Sequence, residues 1–540
     1  MKITENLQKI ISQGDAEFSN RMPLLYLWQE LALNFYPQRA NFTTNLTLGE
    51  DFLSHLTSSI PVIIMRGLQS AIPSMLRPRE KDWFKVTVYD EQPELEARQW
   101  LESANNTVKW FIYRKDSGFV RAVTQADADF MCFGNSVKYV DENKNRDGLM
   151  FANIHLKDVC WFECESGEIN QIHRITLMTA YDAIENFGKN RVHKTILEAH
   201  KNKTGQKFKI MHIVIKSDLC PDLYNEFGKK FDWVSLWVDV DNKIIIEKVG
   251  SYNQKYVIAR WQTVSGFQYG YSPAAQVALP DARLLQSIML TALEAGQKAV
   301  DPPMVATADV VRGDTNLYAG GITLVDKDYD ERLGVALRPI QVDKSGLNHG
   351  LQMMDMIKSS LSDALYESKL NLPPIDATMT ATEVMQRVKE YARTALPLFS
   401  PIEEEDNAVT IDIAFDILLR NGAFGYDIPE SLAGQDIKFE FMSPIQDSNN
   451  DMIRGQYGEM LNIAGQTMQI SPDATVGFDI PSAFNYLMDK TGIPTEWIKS
   501  KEEMQAELDE KNKQKQILEA SQMAQQVGAG GQALQGVLGG

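Results

Sequence analysis

Residues 281–300 read Asp-Ala-Arg-Leu-Leu-Gln-Ser-Ile-Met-Leu-Thr-Ala-Leu-Glu-Ala-Gly-Gln-Lys-Ala-Val, and the run stops at Asp301-Pro302-Pro303. Leu285, Ile288, Met289, Ala292, Ala295, Gly296 and Ala299 fall on one side of a helix, and the small residues near its end permit close approach of another helix. A second helical pattern covers 345–368, with Leu347, Leu351, Met354, Ile357, Leu361 and Leu365 in one stripe. Between them, residues 301–344 hold most of the local glycine and proline and read as short strands at 304–306, 322–325 and 335–338. Two helices joined at a distance by a small globular tip make a stalk, an element around which copies of a protein assemble.

Upstream of the stalk the pattern is mostly strand. β-Branched and aromatic residues alternate with polar ones at 136–140, 149–156, 159–164, 169–177, 208–216, 233–239, 243–249 and 256–261, with Asn, Asp and Gly between them. A helical insert at 180–202 interrupts the run. Further upstream, helices are expected at 23–36, 62–76 and 93–114, with a strand at 83–88. The fold class is therefore α+β and multidomain, with an antiparallel sheet as the expected core. Downstream of the stalk, Thr380-Ala381-Thr382-Glu383 is a capping box that starts a helix, and Ser400-Pro401-Ile402-Glu403 a second one whose helix ends at Asn421-Gly422. A returning strand at 439–442 and helices at 453–469, 484–490 and 502–526 follow, and the glycine-rich end reads as loose.

The chain has 540 residues, enough for two to four packed units. Its 72 Asp and Glu against 54 Lys and Arg give a net charge of −18, the wrong balance for a tight nucleic-acid binder, which needs basic surface to displace counterions. Any DNA it meets is expected to be touched loosely or on a local basic strip. Cys132, Cys160, Cys164 and Cys220 are too few for a disulfide framework and suggest a reducing compartment. The longest uncharged stretch, 262–280, is full of Gly, Pro, Ser and Gln, so no membrane span is expected.

The sequence holds little recognisable chemistry. Cys160 and Cys164, with His155 and His173 nearby, suggest zinc, but on a strand positions four apart lie roughly 13 Å from each other, too far to share one metal. Buried reduced thiols fit better. No Gly-x-Ser-x-Gly elbow is present, and neither Gly188-Lys189 nor Gly228-Lys229-Lys230 satisfies the phosphate-binding loop of a nucleotide-driven motor. Glu403-Glu404-Glu405-Asp406 reads as acid in the first turn of a helix, where the macrodipole favours it. No catalytic, cofactor-binding or metal-binding residue is assigned, and no enzymatic activity is expected.

Four stretches in fixed order carry a resemblance. They are Leu27-Trp28-Gln29-Glu30 through Tyr36-Pro37-Gln38-Arg39; Gly67-Leu68 to Pro73 with Arg77-Pro78-Arg79 and Asp82-Trp83-Phe84; Arg260-Trp261 with Tyr269-Gly270-Tyr271-Ser272-Pro273 and Asp301-Pro302-Pro303; and Thr380 to Val384 with Arg387 and Glu390, extending through Gly422 and Pro429 to Ser443-Pro444. Over most of its length the chain resembles the portal, or head-to-tail connector, proteins of short-tailed, T7-like bacteriophages. The resemblance implies a ring of twelve copies at one capsid vertex, located in the virion and assembled in the host bacterial cytoplasm. It also implies a wing (1–280 and 380–442), two stem helices (281–300 and 345–368), a clip (301–344), a channel loop (369–379, by position only), a helical crown or barrel (443–527) and a glycine-rich tail (528–540).

The implied partners are other copies of the chain, major capsid and scaffolding proteins, the large terminase during packaging, tail adaptor proteins, core or ejection proteins and double-stranded DNA in the channel. No cofactor is implied. Lys344, Lys358 and Lys369 are the candidates to face the channel, and Arg312, Lys327, Arg332 and Arg338 the candidates for docking at the clip; the alternative for each is an ordinary solvated or paired surface residue. Two rival functions remain open from the residues alone, another structural virion protein and a virion-associated hydrolase.

Overall fold

The chain divides into two compact units, one of residues 1–83, 110–421 and 443–445, the other of 84–109, 422–442 and 446–540. The computed structural model describes residues 4–47, 49–78, 82–88, 95–228, 230–306, 330, 332, 337–339, 345–367, 400–425, 428–441, 455–463, 507, 509–511, 513, 514 and 517. The strand expected at 322–325, the 369–379 loop, the capping box at Thr380, the helix at 484–490 and the 528–540 tail lie outside them.

The first unit opens with α1 (Glu5–Asn20), α2 (Met22–Phe35) and α3 (Ile60–Leu76). After α4 (Leu95–Tyr113), which spans the division between units, comes α5 (Phe119–Phe133). The sequence reading assigned neither α1 nor α5. Helix α5 is bounded by Gly118 (φ 71) and Gly134 (φ 76), and eleven of its residues are buried, so it is a central helix whose Ala-Asp-Ala-Asp middle hides its hydrophobic face. Its two acids, Asp127 and Asp129, are themselves buried.

The strands divide between two antiparallel sheets rather than one. β4 (Val159–Glu163), β5 (Ile169–Thr179), β6 (Lys207–Lys216), β7 (Trp233–Asp239) and β8 (Ile244–Ser251) form a meander in chain order. β2 (Asn135–Glu142) lies between β3 (Leu149–Asn153) and β9 (Tyr256–Arg260) in the other. The run expected over 149–156 breaks after Asn153 and closes as a 3-10 turn at Leu156–Asp158. The insert at 180–202 is two helices, α6 (Ala180–Phe187), started by a Thr179–Asp182 capping box, and α7 (Lys194–Lys201). A one-turn helix, α8 (Pro221–Leu223), precedes β7.

β6 reads Ile-Met-His-Ile-Val-Ile without alternation because both of its faces are covered. Leu7, Ile10 and Ile11 of α1 pack on Met211, Ile213 and Ile215. On the opposite face Phe208 and Ile210 meet Ala183, Phe187 and Ile196 of α6 and α7. Further along that face, His212 bonds Tyr256 of β9 at 2.6 Å and Ser235 at 2.8 Å, and its ring stacks on Trp237.

The two helices that opened the sequence reading are α9 (Leu279–Val300) and α10 (Ser345–Ala364). The first is preceded by a π-helical turn at Ala274–Ala278, and the second stops short of its expected end, before Tyr366 at φ 60. Beyond α9, β10 (Met304–Ala306) pairs antiparallel with β11 (Leu337–Pro339), Val305 opposite Arg338. A π-helical turn at Ile402–Ala408 leads into α11 (Val409–Arg420). In the second unit β1 (Phe84–Val88) pairs antiparallel with β12 (Ile437–Phe441), which joins the expected early strand to the expected returning one.

Candidate functional site

The lower ends of α9 and α10 sit in the main core of the first unit. Leu279, Ala282 and Leu285 of α9 and Ile357, Leu361 and Leu365 from α10 and its last turn belong to the same buried cluster as Trp28, Leu31, Phe35, Met65, Leu68, Phe133 and Trp161. Leu285, Leu361 and Leu365 are fully buried. The two helices are tied to each other by the Ser360 hydroxyl, which donates to Asp281 at 2.7 Å.

The quoted Tyr269-to-Pro273 stretch explains how α9 is launched. Asn135 and Gly270 exchange two hydrogen bonds, Nδ2 to the Gly270 carbonyl at 2.7 Å and the Gly270 N–H to Oδ1 at 2.8 Å. A Cβ on Gly134 would lie 2.4 Å from the Ser272 nitrogen, and one on Gly270 would lie 2.7 Å from the Gly134 carbonyl, so two backbones meet here with no side chain between them. The Ser272 hydroxyl donates to the Cys132 carbonyl at 2.7 Å and accepts from the Ala275 N–H at 3.1 Å, which starts the helical turn. The Tyr269 ring lies against Trp161 and Trp28 with centroids 4.5 and 6.1 Å away, and its hydroxyl donates to Glu17; burial holds its pKa well above the ordinary tyrosine value.

Two further ties fix the launch direction. Gln286 accepts N–H bonds from Thr57 and Ser58 at 2.9 and 2.8 Å and donates to the Ser58 carbonyl at 2.8 Å. Arg283 makes a two-pronged pair with Glu30 at 2.5 and 2.6 Å. Past this point the helices leave the core. Leu290 and Leu293 are 46% and 56% exposed, Val300 is 88% exposed, and on α10 Leu351, Met353 and Met356 are 47%, 47% and 73% exposed.

Those exposed residues lie on two sides of the helix pair. At about 3.6 residues per turn, Leu293 flanks one edge of the stripe that α9 turns to α10, with Leu290 beyond it on the same side, and Leu284 flanks the other. With Asp281 set beside Ser360, antiparallel pairing puts Leu351 on the side of Leu290 and Leu293, and Met353 and Met356 on the side of Leu284. Each side of the pair thus carries an uncovered apolar patch.

The basic candidates are placed only in part. Lys358 is exposed on α10, on the side of Leu351, and Arg332 and Arg338 are exposed, the latter on β11. Lys344, Lys369, Arg312 and Lys327 lie outside the described residues.

Glu403, Glu404 and Glu405 stand in the first turn as expected, but Asp406 does not, and Glu405 and Asp406 each have a specific cationic partner. Asp406 is 3% exposed and bonds Arg77 at 3.2 Å and Lys138 at 2.6 Å. Arg77 also meets Asp127 at 2.5 Å and the Asn407 side-chain Oδ1 at 3.1 Å, so two cations and two anions from four segments close a buried, balanced cluster. Glu405 instead grips Arg260, accepting its N–H at 2.7 Å and its guanidinium at 2.8 Å. Burial raises the Asp127 carboxyl to about 6 against the pull of Arg77, and burial lowers Lys138. A sequence signal existed: Lys138 stands at an inward position of a strand, and Arg77 lies in one of the four quoted stretches.

The thiol and histidine positions hold no assembled chemistry. Cys160 is buried, its pKa pushed up to about 12 by desolvation, while Cys164 is half-buried and lowered by the Ser166 hydroxyl. Burial lowers His173 to about 3 and His155 to about 2. Among the described residues no group of three or more His, Cys, Asp or Glu side chains is arranged to hold a metal, and no helix is long and apolar enough to cross a membrane.

The portal protein of Salmonella phage epsilon15 is 20% identical over 520 residues, covering 94% of this chain and 91% of that one. Among solved structures, a chain from the virion of a native gene transfer agent particle aligns with a TM-score of only 0.35 at 9% identity, over 74% of this chain and 86% of its own. The family model for the bacteriophage head to tail connecting protein matches residues 8–498, and the chain belongs to that family.

Proposed function

We propose that copies of this chain close into a ring, twelve in the family's usual form, at one vertex of a phage capsid, where the ring is the passive channel for genome packaging and ejection. The observation that carries the ring is the pair of uncovered apolar patches on opposite sides of α9 and α10. One side of a subunit seated on the other side of the next is a heterologous contact, and such contacts close a ring around a hole. In this reading α9 and α10 are the stem, β10 and β11 belong to the clip that receives the terminase motor and later the tail adaptor, and the remainder of the first unit is wing. The net charge of −18 suits a bore through which DNA slides without sticking. Capsid, scaffolding and ejection proteins are the further partners of this reading.

The test is the double variant Leu290→Asp/Leu293→Asp, imaged by negative-stain microscopy and sized by sedimentation. The expected result is folded monomers where the natural chain gives rings with a central hole. Rings from the variant would remove α9 and α10 from the subunit contact.

A further inference from the structure

The acidic balance of the chain is reversed in one place. Residues 189–209 hold seven Lys and Arg against one acid, Glu198. They form most of the excursion between β5 and β6, and because Thr179 pairs with Lys207 that excursion closes on one end of the five-stranded sheet. The β7–β8 turn reaches the same end, since Asp239 pairs with Ile210, and the Thr195 hydroxyl bonds Asn242 of that turn. Lys243 is thereby added to the excursion.

Two acids at this end are paired with cations and three more are held in hydrogen bonds. Asp182 is held by Thr179 in the capping box, Glu185 pairs with Lys144, and Glu247 pairs with Arg191. Asp239 receives two bonds from Asn242, and Asp241 accepts the Lys209 N–H. By contrast Lys189, Lys194, Lys201, Lys203, Lys207 and Lys243 are exposed. Local stability does not account for three of them. Lys194 is the first residue of α7, where the helix dipole disfavours a cation and the first turn holds no acid, and Lys203 and Lys243 stand at positive φ (50 and 53), where an uncharged glycine or asparagine is the easier residue.

We propose that this end of the sheet is a second contact for double-stranded DNA, outside α9 and α10, made through the phosphate backbone. Lysines on turns and helix ends are point charges on long stems and suit a repeating line of phosphates. The choice of DNA over other polyanions rests on the proposed role of the chain, while the existence of the basic surface does not.

The full-length protein carrying Lys189, Lys194, Lys201, Lys203 and Lys207 all changed to Gln is titrated with a short fluorescent duplex of mixed sequence over a range of salt. Binding at low salt should fall about tenfold or more, and the log–log salt slope should drop by about 4 to 5, near one for each phosphate that is no longer neutralised. Changing the same five lysines to Arg should restore both, and Lys9→Gln, at an exposed site on α1, should change neither. Unaltered duplex binding in the five-Gln variant, an equal reduction in Lys9→Gln, or tighter binding of the natural chain to polyglutamate than to the duplex would each overturn the proposal. Anisotropy reads binding whether or not rings form, so this outcome stays separate from that of the Leu290 and Leu293 variant.

Discussion

The lower and upper halves of α9 and α10 carry the same kinds of side chain and meet opposite fates. Leu285 and Leu361 are fully buried in the first unit's own core, while Leu290, Leu293 and Met356 stand exposed a turn or two away. Hydrophobic periodicity runs through both halves, so it does not distinguish a residue buried by its own chain from one left exposed. What separates them is the set of directional ties at the base, Ser272, Gln286 and Asn135, which stop once the helices leave the core.

The sharpest way to break this comparison is Leu361→Ala. If the lower half belongs to the core, stability should fall by about 2–5 kcal/mol in chemical denaturation, as for other deletions of buried leucine; a change as small as that at an exposed site would erase the distinction. A second difference lies in pH. The buried body contains Asp127, whose folded pKa of about 6 lies above the ordinary 3.8. Its contribution to stability is complete below 3.8 and is lost as pH rises through about 6, so Asp127→Asn should flatten the stability profile across that window. The smallest effect is expected at Arg283→Ala, less than about 1 kcal/mol, because Arg283 is 54% and Glu30 39% exposed and water screens the pair.

The sequence was informative where periodicity and punctuation agree. Strand β7 occupies its expected residues, and Asp301-Pro302-Pro303 ends α9 where proline demands. It was uninformative where a residue's partner is remote. Nothing local reveals that Asp406 sits between Arg77 and Lys138, since the same acid at a helix start has an adequate local explanation. Helix α5 was missed for a related reason: Asp127 and Asp129 in its middle read as solvent-facing, and both are buried by partners brought from elsewhere, Arg77 for Asp127 and Arg39 for Asp129. The four stretches that carry the family resemblance are, where described, largely such places. Trp28, Arg77, Arg260 and Tyr269 hold the body together and mark no chemistry of their own.

The buried cluster also sets a clock. Arg77, Asp127 and Lys138 leave the ribosome long before Asp406, and until it arrives they carry one surplus positive charge that a closed interior would not tolerate. The body that anchors α9 and α10 can therefore complete this cluster only after α10 has been synthesised in full.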